Sequence, residues 1–260
     1  MRVKENSFYS FITIIWLACL TASCGSAENS APPTAPLPTA ETVAKADNSA
    51  KAHNDLPKLR ESVNLLAQVR NPGARNYEVE WKFAKYNYFL GKSATDEKEI
   101  QKAFENGETA GQIASRIEPN KPDGYFWYGA NLGEQAKRAP LTKGLTSIGD
   151  IRAAMNKVIE IEPSYQGASA FDVLAQIELA TRLTGGKAAQ AVEYLEKAIA
   201  VEKENSYTRL HLAQAYLAEN RDAEARKQLD FLLKMKPNPE YLPEYEECVK
   251  EAKKILETRF

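Results

Sequence analysis

Three short stretches of this chain close an apolar-periodic run in the same way: Arg116, Ile117, Glu118, Pro119; Glu160, Ile161, Glu162, Pro163; and Lys234, Met235, Lys236, Pro237. Proline lacks the amide proton that continues a helix and pushes the residue before it out of the α region, so each stretch reads as a helix stop. Stops that recur about every 34 to 44 residues leave room for two helices and a turn per interval. One such hairpin cannot bury its own apolar face and must stack against the next. The chain is thereby directed to an all-α architecture of stacked antiparallel hairpins. That architecture supplies a binding surface and no obligatory reactive group.

The last unit shows the register most clearly. Leu212 and Ala213 stand where a large and then a small residue are required, followed by Tyr216, Asn220 at the turn, Ala225, Leu229, Leu232 and Pro237. Small residues let paired helices approach, large ones fill the seam at i, i+3, i+4 spacing, and Asn tolerates the left-handed turn conformation. Upstream, Leu174, Ala175, Ala191, Tyr194, Leu195 and Ala198 repeat the pattern, with Gly185 and Gly186 at the turn and Lys203 where a closing proline is expected. Tyr128, Gly129, Met155, Val158 and Pro163 form another unit, lengthened through Pro140 and Gly144. Phe83, Ala84, Ala114 and Pro119 form a first and weaker one, because Gly107 and Gly111 lie inside its second helix. The register resembles the tetratricopeptide repeat and predicts a tetratricopeptide-type α-solenoid with a C-terminal capping helix. An irregular helical bundle is the alternative for the same pattern.

Residues 1–23 read as a signal peptide, with Arg2 and Lys4 ahead of an apolar run from Phe8 to Leu20 that is too short for a comfortable membrane span. Its end, Leu20, Thr21, Ala22, Ser23, Cys24, resembles a bacterial lipobox, in which Cys24 would be lipidated and become the mature N-terminus. Thr21 stands where a stricter lipobox has Leu, so simple cleavage and an uncleaved anchor remain alternatives. Acyl chains on one residue suffice for anchoring, at about 0.8 kcal/mol per buried methylene. Gly25 follows the cysteine in place of an acidic residue, which favours the outer over the inner membrane. Residues 24–55 are rich in Ala, Pro, Ser and Thr and predict a mobile linker, holding the helical domain, 56–260, about 30 Å from the lipid.

The charge is close to balanced, with 34 Lys and Arg against 35 Asp and Glu, and the signs are interspersed, so no nucleic-acid partner is implied. The two histidines, His53 and His211, have no metal-spaced neighbour. Thr184, Gly185, Gly186, Lys187 follows a helix and lacks the hydroxyl residue after lysine, so it reads as a turn and not a phosphate loop. No catalytic set, cofactor or metal site is expected. Cys248 sits among Tyr245, Val249, Ala252, Ile255 and Leu256, the apolar stripe of a final helix, and reads as a small buried hydrophobe.

Aromatic residues crowd two predicted helices: Trp81, Phe83, Tyr86, Tyr88 and Phe89 on one, and Tyr125, Phe126, Trp127 and Tyr128 on the other. Rings on several faces of one helix cannot all pack against its hairpin partner. The first helix of each hairpin supplies the inner surface, and the register places Trp81, Lys85, Tyr88, Phe126, Ala130, Gln176, Tyr207, Leu210, Gln214 and Leu217 there. Asn131 joins this candidate groove either as a bridge to backbone groups across the inter-helix seam or as a contact to a solute.

The stretch Tyr125 to Gly133, with Lys143, Gly144 and Ile161 to Tyr165, looks like the T-component family of tetratricopeptide-associated TRAP transporters. The continuation Leu183 to Lys187, through Ala191, Tyr194, Leu195, Lys197 and Ala198, is similar too. The resemblance implies a lipoprotein of the bacterial envelope that faces the periplasm and docks a periplasmic solute-binding protein, as a homo-oligomer that accepts a small apolar solute. A scaffold for outer-membrane or pilus machinery is the second expectation.

Overall fold

The computed structural model describes residues 39–51 and 55–260, all within one compact unit. Eleven α-helices run in order through these residues, with no strand among them: α1 (Thr39–Ser49), α2 (Leu56–Val69), α3 (Tyr77–Ser93), α4 (Glu97–Ile117), α5 (Pro122–Arg138), α6 (Leu145–Ile161), α7 (Tyr165–Ala180), α8 (Ala188–Val201), α9 (Ser206–Ala218), α10 (Asp222–Lys234) and α11 (Leu242–Arg259). The starts are capped as short polar side chains dictate. The amides of Val79, Glu99 and Thr208 donate to the side chains of Asn76, Asp96 and Asn205, at 3.1, 2.9 and 3.2 Å. The ends of α4 and α6 fall at Ile117 and Ile161, two residues before Pro119 and Pro163.

Each helix packs on its successor, and from α3 onward each odd-numbered helix also packs on the next odd-numbered one, through α11. This is a solenoid of hairpins α3–α4, α5–α6, α7–α8 and α9–α10, closed by α11. Two apolar clusters run through it and meet at α7, whose Leu174 and Ile177 belong to one and whose Ala175 belongs to the other. In the last hairpin Ala213, Ala225, Leu229 and Leu232 are fully buried and Asn220 adopts a φ of 57°, as the register predicts. Lys203 lacks proline's stop, and Arg209 takes over: its guanidinium donates to the Lys203 carbonyl at 2.8 and 3.0 Å and lies 3.8 Å from the Phe231 ring centroid.

The expected leader and Cys24 lie outside the described residues. The expected linker is shorter than its composition suggests, because α1 occupies part of it. Val43 and Ala46, three residues apart, are buried, the Ser62 hydroxyl donates to the Ala46 carbonyl at 2.9 Å, and Asp47 accepts from Lys82 at 2.6 Å and from the Tyr86 hydroxyl. Two apolar residues on one helical face are enough here because α2 and α3 offer prepared partners.

The α4–α5 crossing is the tightest seam. A Cβ at Gly107 would stand 2.1 Å from Asn131 Oδ1, and one at Gly111 would stand 2.5 Å from the backbone nitrogen of Tyr128. These glycines, which weaken α4 as an isolated helix, exist for close approach. Overpacking costs about 1–3 kcal/mol. Gly111→Ala is therefore expected to lower the melting temperature. Gly149→Ala, in α6 with nothing within 4 Å of its added Cβ, is expected to raise stability by about 0.5–1 kcal/mol. Thermal melts of the two variants check the contrast, and equal behaviour would contradict the close-approach account.

Candidate functional site

The inner surface is built by α3, α5, α7 and α9, with α11 turned onto α9. Trp81, Lys85 and Tyr88 share one face of α3 and remain half-buried. The Tyr88 ring lies 5.5 Å from Phe89 and 5.6 Å from Trp127, and the Lys85 ammonium lies 5.9 Å from the Trp127 ring centroid. Burial pushes the Tyr88 hydroxyl well above its ordinary pKa, and the carboxylates of Glu134, Glu244 and Glu247 push it further. Two of those acids belong to α11, so the superhelical turn brings the last helix into the electrostatic reach of the third.

Four side chains lash α7, α9 and α11 together. His211 Nδ1 pairs with Asp172 at 2.6 Å, the His211 ring stacks on Tyr207 at 5.8 Å and 26°, and the Tyr207 hydroxyl donates to Glu247 at 2.8 Å. A second polar tie joins α3, α5 and α7. The hydroxyls of Tyr77 and Tyr165 donate to the two oxygens of Asp123, at 2.6 and 2.8 Å. Beyond the first set, Gln214 and Leu217 of α9 face Glu251 and Ile255 of α11 across an open cleft of about 640 Å³, with Arg182 at its rim.

The structure divides the sequence-derived groove. Trp81, Lys85, Tyr88, Ala130, Gln176, Tyr207, Gln214 and Leu217 are half-buried and available to an inner surface. Phe126, Asn131 and Leu210 are core residues instead. Phe126 is covered by Tyr165 of the next odd helix, 5.4 Å away, and Leu210 packs in the cluster that holds Cys248 and Ala252. Asn131 is fully buried, and its amide donates to the Ala84 carbonyl at 3.1 Å and the Trp127 carbonyl at 2.7 Å. Its geometry is that of a bridge across α3 and α5. Asp172, Glu247 and Asp123 were not signalled by the sequence, because each acquires its role from a partner about 40 residues away.

A family model described as regulator of microtubule dynamics protein 1-3 matches residues 42–170, and a tetratricopeptide repeat model matches residues 182–242. Among solved structures, a thermophilic TPR protein of Thermus thermophilus is similar at 18% identity, over 78% of this chain and 98% of that one, with a TM-score of 0.55. The crystal structure of MamA is similar at 12% identity, over 85% and 96%, with a TM-score of 0.50. No curated protein matches. The fold is a tetratricopeptide-type α-solenoid. The comparisons bear on the repeat architecture and leave the transporter resemblance without specific support.

Among the described residues no three His, Cys, Asp or Glu side chains gather as a metal-binding group. Cys248 is fully buried, and burial pushes its thiol up to about 12, so it stays protonated where an ordinary thiol ionises. An acid held neutral by the fold makes stability fall as pH rises from the ordinary thiol range toward that value. At about pH 8 the native chain is expected to leave Cys248 unmodified by iodoacetamide, and denaturant is expected to release it. Peptide mass spectrometry reads the outcome, and equal labelling before and after denaturation would contradict the burial.

Proposed function

We propose that this protein is a tethered, non-catalytic binding scaffold whose inner helix face receives a segment of a protein partner. The observation that carries the reading is that Trp81, Tyr88 and Tyr207 stay partly open on α3 and α9 although the opposite faces of those helices are already packed. Large rings left open beside amides such as Gln176 and Gln214 are the side-chain types that anchor protein contacts at low entropic cost. The inner surface also carries Glu134 and Glu247, with Lys85 as the cationic group beside them, so a segment with basic and apolar side chains suits it better than a free carboxylate terminus.

The sequence resemblance narrows this reading to a lipoprotein anchored at Cys24, facing the periplasm, that docks the solute-binding protein of a TRAP transporter and assists uptake of a small organic solute. A scaffold in envelope assembly fits the same groove. The match of residues 42–170 to regulators of microtubule dynamics favours a different partner, a cytoskeletal one.

A photo-crosslinking residue at Lys85 or Gln214 in the full chain, compared with one at exposed Asn156 of α6, tests the reading. The inner positions are expected to capture one protein that Asn156 does not, and its identity separates transporter, assembly and cytoskeletal partners. Capture at Asn156 alone, or none at the inner positions, would overturn the proposal.

A further inference from the structure

The turns that follow α3, α5, α7 and α9 lie along one edge of the solenoid. Arg138 at the end of α5 pairs with Glu97 at the start of α4, at 3.0 Å. Ile148 and Arg152 of α6 share an open cleft of about 440 Å³ with Thr181, Thr184, Gly185 and Gly186 of the α7–α8 turn. Arg182 of that turn reaches the neighbouring cleft beside Asn220 of the α9–α10 turn. Contact therefore runs from turn to turn along this edge.

Two of these turns carry the least buried leucines of the described residues. Leu141 is 85% exposed, Leu145 is 60% exposed, and Leu183 is fully exposed. Leu141 stands in a single π-helical turn, Pro140–Gly144, that lengthens the α5–α6 hairpin beyond what repeat stacking requires. Leu145 and Ile148 follow it at helical spacing, toward the cleft that the Leu183 turn borders. The chain that immediately flanks these leucines carries cations only, whereas the α3–α4 and α9–α10 turns of the same edge carry Asp96, Glu97, Asp222 and Glu224. Residues 135–149 contain Lys137, Arg138 and Lys143 and no acid, and residues 179–192 contain Arg182 and Lys187 and no acid. Lys137, Arg138 and Lys143 are paired with Glu134, with Glu97 at the start of α4, and with Glu108. Arg182 and Lys187 are exposed and make no ion pair among the described residues.

We infer that the α5–α6 and α7–α8 turns of this edge form a contact surface for an anionic lipid bilayer. Leu141, Leu145 and Leu183 enter the headgroup boundary, and Arg182 and Lys187 lie among lipid phosphates. Separated, protruding leucines ringed by Lys and Arg suit a planar interface that is apolar below and anionic above. An acidic peptide would engage the cations and leave the leucines in water. The described helices include none long and apolar enough to cross a membrane, so the contact is one of resting on the surface. The inference is independent of which partner occupies the inner face.

The test uses the full chain carried on vesicles of phosphatidylcholine alone or with phosphatidylglycerol. Leu141→Cys and Leu183→Cys report on the edge, and Glu204→Cys, in the α8–α9 turn at the opposite edge, is the control. Labelling by a water-soluble maleimide, read at each peptide by mass spectrometry, is expected to slow about tenfold at the two edge positions on anionic vesicles only. The control is expected to keep its rate, and adding Arg182→Glu and Lys187→Glu to Leu183→Cys should restore labelling there. Equal edge rates on neutral and anionic vesicles would overturn the inference. So would matching protection by soluble polyglutamate without vesicles, which would assign the edge to an acidic protein surface.

Discussion

Everything in this solenoid depends on how closely α4 can lie against α5. Gly107 and Gly111 remove the side chains that would hold the two helices apart, and Asn131 uses the space to span from α5 to the Ala84 carbonyl of α3. Its amide donors find carbonyls on two helices, while the buried Asn131 Oδ1 lies against Gly107 with no hydrogen-bond partner among the described residues. One crossing thus joins three helices, and it sets the angle at which α3 and α5 present Trp81, Lys85, Tyr88 and Ala130. A small shift at the glycines would alter the inner face before it altered the hairpin count.

The inner face is defined at its other end by a different kind of force. Packing of Cys248 and Ala252 seats α11 on α9, the Tyr207–Glu247 contact fixes its rotation, and the Asp172–His211 contact ties α9 to α7. Hydrogen bonds to charged groups are stronger and more directional than apolar contacts, so they settle orientation where burial settles only proximity. The consequence reaches α3, where carboxylates of α11 act on the Tyr88 hydroxyl.

What the sequence made legible was whatever is decided locally. The turn at Asn220, the Gly185 turn with its φ of 118°, and the buried row Ala225, Leu229, Leu232 follow from helical period and backbone sterics within one hairpin. Helix α1 was hidden because only two apolar residues, Val43 and Ala46, mark its buried face beside Thr42, and their partners lie on later helices. Phe126 and Leu210 have the right spacing for the inner surface, yet spacing cannot say which of them the next odd helix will cover. The left-handed turn at Gln166, Gly167 and Ala168 is the extreme case. Two of its three residues carry a Cβ, which disfavours that conformation by about 1–2 kcal/mol each. Its support is the Asn205 amide donating to the Gly167 carbonyl at 3.0 Å, from the N-cap of α9 at the start of the next hairpin.

Native-state hydrogen exchange across α3, α4 and α5 tests the central seam most directly. If the α4–α5 approach and the Asn131 bridge organise the solenoid, the amides of Asn131 and Leu132 will exchange only through global unfolding, with a denaturant dependence equal to that of the whole chain, while α1 and the end of α11 open locally. Exchange of the α5 amides through small, denaturant-independent openings, faster than those of α1, would contradict the account.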